Sequence, residues 1–464
     1  MSLRAKGLVA ILAGVVVAVW FPMRSAAADT GVATPAPSAS ATPSVAVPGF
    51  ERRFGVHVQA TNTQQYHGAF PAAYSGPQSL TNTPDTAKTF TATLFAGVRV
   101  WHEAALYLDE EVDQGFGFDQ TLGLAGFSNA EAYKIGAARP YERLHRVFIR
   151  QTFDSGAATD VLTSDQNQLP ERVSPTRTVV TVGKYSVVDI FDDNTYAHDP
   201  RNDFLNWAVV DMGAFDYAAD AWGYTYGVTA SFIRPESALD VGLFQLSKEP
   251  NAIAIEHVPF LQYSPVIQWS RSLSLFGDRP GRVRLLAYGN YGYMAPLADA
   301  TAAALASGTT PNPAGFRSKR HWKLGEGVNL EQQLRDGVGF FARASADNGS
   351  YETFDFTEID RSVEAGFSFD GSLWHRPGDT LGIAGVVNGI SAVRQRYLAA
   401  GGLGILIGDG ALSYAPERIL ESYYRLGIAR GLSVKFDYQR FVAPAYNTAR
   451  GPVSIYTLQL HEQL

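Results

Sequence analysis

The chain contains no cysteine, which excludes disulfide staples, thiolate nucleophiles and thiolate metal sites. It has one long apolar run, residues 7–21, and nothing later approaches the roughly 20 apolar residues of a membrane-spanning helix. Basic residues are in deficit: 38 Lys and Arg against 45 Asp and Glu leave a net charge of −7. That sign is wrong for a phosphate-binding surface, so a nucleic-acid partner is not expected. The nine histidines show no ligand spacing, and His57, His145 and His321 read as ordinary lumen or surface residues. His102-Glu103 begins a zinc-protease-like string, but Leu106 stands where the second ligand is needed. There is no G-x-S-x-G nucleophile elbow. The glycine-rich residues 401–410 open no helix and read as turn or strand glycines, and Asp192-Asp193-Asn194 reads as a solvated loop. No catalytic constellation emerges, and no cofactor or metal is expected.

What the chain does have begins at its amino end. Arg4 and Lys6 precede the apolar run, and Ala26-Ala27-Ala28 follows it, the pattern of a cleaved secretory signal over residues 1–28. Loss of Arg4, Lys6 and Arg24 with that segment would carry the net charge to −10. Residues 29–48 are rich in Ala, Pro, Ser and Thr, a composition that buries no core and reads as a flexible tether. Residues 49–464 contain no comparable linker and read as one unit.

That unit alternates. Trp222, Tyr224, Tyr226, Val228, Ala230 and Phe232 share one face of a predicted strand; Gly223, Thr225, Gly227, Thr229 and Ser231 share the other. The polar face carries no charge, and the apolar face has its aromatics at one end. This suits lipid on one side, water on the other and an aromatic girdle at the interface. The pattern recurs. Leu432, Val434, Phe436 and Tyr438 alternate with Ser433, Lys435, Asp437 and Gln439; Leu420, Tyr424, Leu426 and Ile428 alternate with Glu421, Tyr423, Arg425 and Gly427. Val328, Leu330 and Leu334 oppose Asn329, Glu331 and Gln333, and after a short turn Val338, Phe340, Ala342 and Ala344 oppose Phe341 and Arg343. Ile359, Val363, Ala365 and Phe367 oppose Glu358, Asp360, Ser362 and Glu364.

Short connections (429–431, 335–337, 277–281) contrast with long ones (113–142, 193–219, 294–322), as in an outer-membrane barrel with short periplasmic turns and long external loops. The 44 glycines and 12% aromatic content fit that class. At roughly 25 residues per strand and connection, the length predicts an all-β transmembrane antiparallel barrel of about 16 strands, 18 being the alternative. Tyr456, Leu458 and Leu460 form a terminal apolar stripe, of the kind read by the barrel-assembly machinery, although the last residue is Leu464 rather than an aromatic.

Several stretches carry a family resemblance: residues 181–208 (TVGKYSVVDIFDDNTYAHDPRNDFLNWA), 215–227, 67–80, 112–136 and 444–456. Together they resemble the bacterial carbohydrate-selective porins of the OprB type. The resemblance implies a barrel, generally of 16 strands, that lets glucose and related neutral sugars cross the outer membrane of a Gram-negative bacterium. It implies outer-membrane lipid as surroundings and leaves a homo-oligomer open. The alternatives are a general non-selective porin, or a barrel for polysaccharide export or adhesion.

A sugar pore needs hydrogen-bonding groups and a narrowed waist rather than a net charge match. Glu103, Tyr107, Asp109 and Glu111 share a parity before the 113–142 loop; Arg146 and Arg150 share one after it; Arg99 shares the face of Thr91, Thr93 and Gly97. Arg or Lys at mid-depth on the lipid face costs about 2–4 kcal/mol, so these charges are expected inside. The expectation is that the 113–142 loop, with Phe116, Phe118, Phe127 and Tyr133, folds into the lumen and forms a mixed-charge, aromatic-lined eyelet with them. Glu331, Gln333, Arg343, Glu358, Asp360, Glu364, Glu421, Arg425, Lys435 and Asp437 are expected to face the lumen elsewhere.

Overall fold

The structure, a computed structural model, describes residues 53–132 and 136–464. The proposed signal, the tether and Tyr133 lie outside the described residues. The first strands are β1 (Phe54–His67), β2 (Asp85–Trp101), β3 (Ala104–Phe116) and β4 (Ala137–Asp154). A small hairpin follows, β5 (Asp160–Leu162) and β6 (Glu171–Val173). Next come β7 (Arg177–Tyr185), β8 (Thr225–Arg234), β9 (Ser237–Gln245), β10 (Tyr263–Leu273) and β11 (Gly281–Tyr293). The chain then forms β12 (Arg320–Arg335), β13 (Val338–Asp347), β14 (Arg361–Asp370) and β15 (Thr380–Gly389). It finishes with β16 (Glu417–Ala429), β17 (Leu432–Val442) and β18 (Val453–Gln463).

All strands except β5 and β6 join one antiparallel sheet, closed where β1 pairs with β18 from Gln59↔Gln463 to His67↔Ile455. The barrel therefore has sixteen strands, and no edge is left to pair with another chain. Among the described residues no helix is long and apolar enough to cross a membrane. The strands, 9 residues at the shortest, are long enough to cross when tilted.

The alternation sets which way each side chain points. On β18, Tyr456, Leu458 and Leu460 are 45–54% exposed on the outside, while Thr457, Gln459 and His461 between them are buried. On β17, Phe436 is exposed, while Ser433, Lys435, Asp437 and Gln439 are buried inside. On β8, Tyr226, Val228 and Phe232 are exposed and Thr225 and Thr229 are buried.

Two expectations fail at strand ends. Trp222 and Tyr224 do not mark a lipid interface: both are buried, at 6% and 7% exposure, because β8 begins only at Thr225. Gly223 takes a positive φ of 97°, and the Asp220 carboxylate accepts the backbone N–H groups of Trp222 and Tyr224, so the chain turns inward before the strand starts. Likewise Glu358, Ile359 and Asp360 precede β14 and are buried in a connection, so Ile359 faces protein rather than lipid.

One end of the barrel has tight connections, including the two-residue turns 235–236, 336–337 and 430–431. The other end has long ones, and these fold inward. Residues 186–224 cross the interior and carry a short helix, α1 (Trp207–Val210). Phe204 packs on Phe341 and Tyr423 of the wall, Phe215 on Tyr288, and Trp207 stacks on Phe127. The core of this protein is thus loop against inner wall. One connection at the short-turn end breaks the pattern: residues 155–176, between β4 and β7, carry the β5–β6 hairpin into the barrel.

Candidate functional site

Strands β3 and β4 build the most varied part of the lumen wall. On β3, Tyr107, Asp109, Glu111 and Asp113 are buried, while Leu106 and Leu108 face outward at 38% and 39% exposure. On β4 the register slips: Arg146 pairs with Asp109 but Leu144 pairs with Glu110, leaving His145 as the extra residue of a β-bulge. Before the bulge the inward set is Tyr141, Arg143 and His145; after it, Arg146, Phe148 and Arg150. Two adjacent residues, His145 and Arg146, therefore both enter the lumen.

Arg146 sits at a junction. Its guanidinium donates through Nη1 to Asp109 Oδ2 at 3.1 Å, and through Nε and Nη2 to the two oxygens of Asp189 at 2.7 and 2.6 Å. Asp189 lies at the start of the in-folded 186–224 segment, so this fork joins wall to loop. The pair is partly open, with side-chain exposures of 17% and 26%. Arg146 also lies 4.9 Å from the ring centre of Tyr224. Arg150 lies over Tyr107 and Phe148, at 5.2 and 5.3 Å, and donates to the carbonyl of Asn167 at 2.8 Å.

Asn167 belongs to the 155–176 hairpin, which presses against this wall from the short-turn end. Its side chain donates to Asp109 at 2.8 Å, the Leu169 N–H donates to the Tyr107 hydroxyl at 3.2 Å, and Glu171 pairs with Arg99 at 2.9 Å. Among the candidates, Tyr107, Asp109, Arg146 and Arg150 are thus brought together. Glu111 lies beyond them with Arg201 at 3.5 Å, Arg99 is committed to Glu171, and Glu103 is apart altogether. Glu103 occupies the β2–β3 turn with a φ of 59° and pairs with His102 at 3.5 Å.

Residues 117–132 fold inside the barrel, where their bonds go to other parts of the wall than Arg146. Gln65 donates to the Ser128 carbonyl, Asn129 to Thr89, and Thr91 to Glu131; Glu417 accepts the N–H groups of Ala125 and Gly126. Phe118 packs on His67 and Phe127 on Trp207, whereas Phe116 ends β3 on the exposed side.

The remaining lumenal charges have a different fate. Arg343 donates to Asp192 and Glu364 at 3.1 and 2.8 Å, and to the carbonyls of Ala197 and Val209 at 2.6 and 2.8 Å. Lys435 donates to the Pro200 and Asp203 carbonyls, Glu421 accepts the Leu205 N–H, and Glu331 accepts the Thr195 N–H. Asp437 accepts from Gln439, and Arg425 donates to Thr380. Gln333 is half-buried beside a bulge, and the fully buried glutamine is its neighbour Gln332. Glu358 and Asp360 hold Arg394 of a helix, α2 (Ala392–Ala399), and Glu358 also accepts the N–H groups of Leu406 and Ile407 from the glycine-rich segment. Asp192-Asp193-Asn194 is solvated only at its middle residue: Asp192 is fully buried on Arg343 and Asn194 bonds Asn329, while Asp193 pairs with Arg284 at 3.0 Å and keeps 56% of its side chain exposed. In the same segment burial opposes a charge on His198, but Asp211 and Asp193 outweigh it and hold the imidazole up at about 9.

A cavity of about 260 Å³ lies at the short-turn end, against β7 to β11. Arg177, Asp193, Asp240, Gln268, Arg282 and Arg284 line it, a polar surface with both signs of charge. Asp189, Asn167 and Arg201 escaped sequence reading, because all three sit in connections and none has an alternation signature.

A closed sixteen-strand barrel with inward-folded loops and a polar inner wall is a porin, and it places the protein in an outer membrane. The chain belongs to the OprB family of carbohydrate-selective porins, whose profile matches residues 77–464. Among solved structures it is similar to OprB of Pseudomonas putida at high pH, with a TM-score of 0.66 at 14% identity, over 89% of this chain and 95% of that one. The low-pH form of the same porin gives 0.47 at 13% identity, over 89% and 93%. A BenF-like porin from Pseudomonas fluorescens gives 0.45 at 11%, over 90% and 100%. Comparison with curated proteins finds no match.

Proposed function

We propose that this porin passes small neutral sugars by diffusion, along a path narrowed where Arg146 bridges Asp109 and Asp189 and continued into the cavity beside Arg177, Arg282 and Arg284. The observation that carries the reading is the partial exposure of the Arg146–Asp189 fork, 17% and 26%, where Arg343, Glu421 and Lys435 on β13, β16 and β17 are buried as anchors. A fork of guanidinium and carboxylate offers donors and acceptors to vicinal hydroxyls while keeping the local net charge low. Arg150, held over the buried rings of Tyr107 and Phe148, adds a second guanidinium to the same wall. Family membership supports the substrate class.

Liposome swelling with monosaccharides, disaccharides and size-matched amino acids tests the reading. Sugars should enter faster than amino acids of equal size, and Arg146→Ala should narrow that difference. Equal rates for both solute classes in the unaltered protein would reduce it to a general porin. Unchanged flux and conductance in Arg146→Ala would remove the fork from the path.

A further inference from the structure

We propose that Glu111, Asp113 and His145 hold a divalent transition-metal ion of the zinc class, fixing β3 to β4 at the His145 bulge. The three are 1%, 2% and 0% exposed. Nε2 of His145 lies 3.2 Å from Asp113 Oδ2 and 3.5 Å from Glu111 Oε1, and one ligand atom from each residue falls within 4.8 Å of the others. Bonds of about 2.0–2.2 Å to one ion put two ligand atoms about 3.0–3.5 Å apart at octahedral to tetrahedral angles. Both separations from the imidazole nitrogen fit a shared ion.

Further observations point to a cation there. Asp113 Oδ1 is buried and has no hydrogen-bond partner. Beside it is a cavity of about 10 Å³, lined by Thr91, Asp113, Glu131 and Tyr141 among others, about the space of one water. Glu131, buried at 6% exposure, adds a third carboxylate to the group. Against these three stands the guanidinium of Arg201, 3.5 Å from Glu111 and 3.1 Å from Glu131. Arg143 and Lys184 nearby are paired with Asp220, at 3.3 and 3.4 Å. Buried carboxylates this close need added positive charge, from an ion or from protons. An imidazole in the set favours zinc-class ions over Mg²⁺ and Ca²⁺, which prefer oxygen alone. The Tyr224 ring, stacked on His145 at a centroid distance of 4.3 Å, restrains the imidazole plane. Through Arg201 and Glu131 the ion would also tie both in-folded loops to the wall.

The test uses the full chain, folded in detergent and stripped with a strong chelator, then titrated with ZnCl₂ and CoCl₂ by calorimetry. One ion should bind per chain, and His145→Ala and Asp113→Asn should each weaken binding at least tenfold, while His257→Ala on an exposed loop should not. X-ray absorption of the zinc-loaded unaltered protein, which depends on no variant folding, should show one imidazole among oxygen ligands. Absence of saturable binding, equal binding of Mg²⁺, an all-oxygen shell, or full affinity in both folded variants would overturn the site.

Discussion

Arg343 on β13 and Arg146 on β4 both point into the barrel, and both meet two carboxylates. Their surroundings differ. Arg343 is 2% exposed and also donates to carbonyls of the 186–224 segment, so it is an anchor sealed under the loop it holds. Arg146 keeps 17% of its side chain open, and its partner Asp189 keeps 26%. On β13 Arg343 fastens a loop, whereas on β4 Arg146 and Arg143 keep 17% and 29% of their side chains open to whatever passes. A lumenal charge is therefore not by that fact a pore-lining one. What covers it decides.

Breaking the sealed side should have the largest effect. Arg343→Ala would strand Asp192 and Glu364 in a buried site, at a cost of about 3–5 kcal/mol, the usual penalty for removing one partner of a buried pair. Denaturant unfolding from lipid vesicles measures it; a loss below about 1 kcal/mol would show that water already reaches Arg343 and erase the contrast. Arg146→Ala should cost less, about 1–3 kcal/mol, because water already reaches the other partner, Asp189. Its main effect should be on flux, with single-channel conductance raised. Tyr107→Phe removes the hydroxyl that accepts from Leu169, at about 0.5–1.5 kcal/mol. Proteolysis within residues 155–176 should then quicken while the barrel stays intact.

The smallest effect is expected at the short-turn end, outside the spanning strands. There the Arg376 guanidinium, with the Tyr424 hydroxyl and the Gly427 N–H, outweighs burial and lowers Asp379 from 3.8 to about 2. A depressed carboxylate stabilises the fold fully above its unfolded value and loses that contribution as pH falls from about 4 through 2. Unfolding midpoints should thus fall slightly over that window in the unaltered protein and not in Asp379→Asn. Equal pH profiles would mean that the turn is not held by this charge.

Much of the barrel was legible because lipid outside and polar groups inside impose a period of two on every strand. Leu432 to Gln439 and Tyr456 to Leu460 display that period without interruption, and the inner faces read from them carry the buried residues. Reading failed where the period itself was broken. The bulge at His145 switches the inward set on β4, so no single parity describes that strand. Trp222 and Tyr224 continue the parity of β8 in sequence, yet Gly223 and Asp220 turn them into the interior. Residues 117–132 enter the lumen, but the loop carboxylate that meets Arg146 comes from Asp189, 43 residues along the chain.

The sequence by itself determined the class of structure, the lipid-facing parity of the uninterrupted strands and the family, since these follow from local alternation and from segments close in the chain. Tertiary structure alone decided which inward charges remain accessible. That depends on loops of up to 39 residues folding back across the interior, where each buried carboxylate or guanidinium must find a partner of opposite character. Such partners lie 100 residues and more away, as in Asp192 with Arg343 and Asp216 with Lys323, and no local pattern announces them.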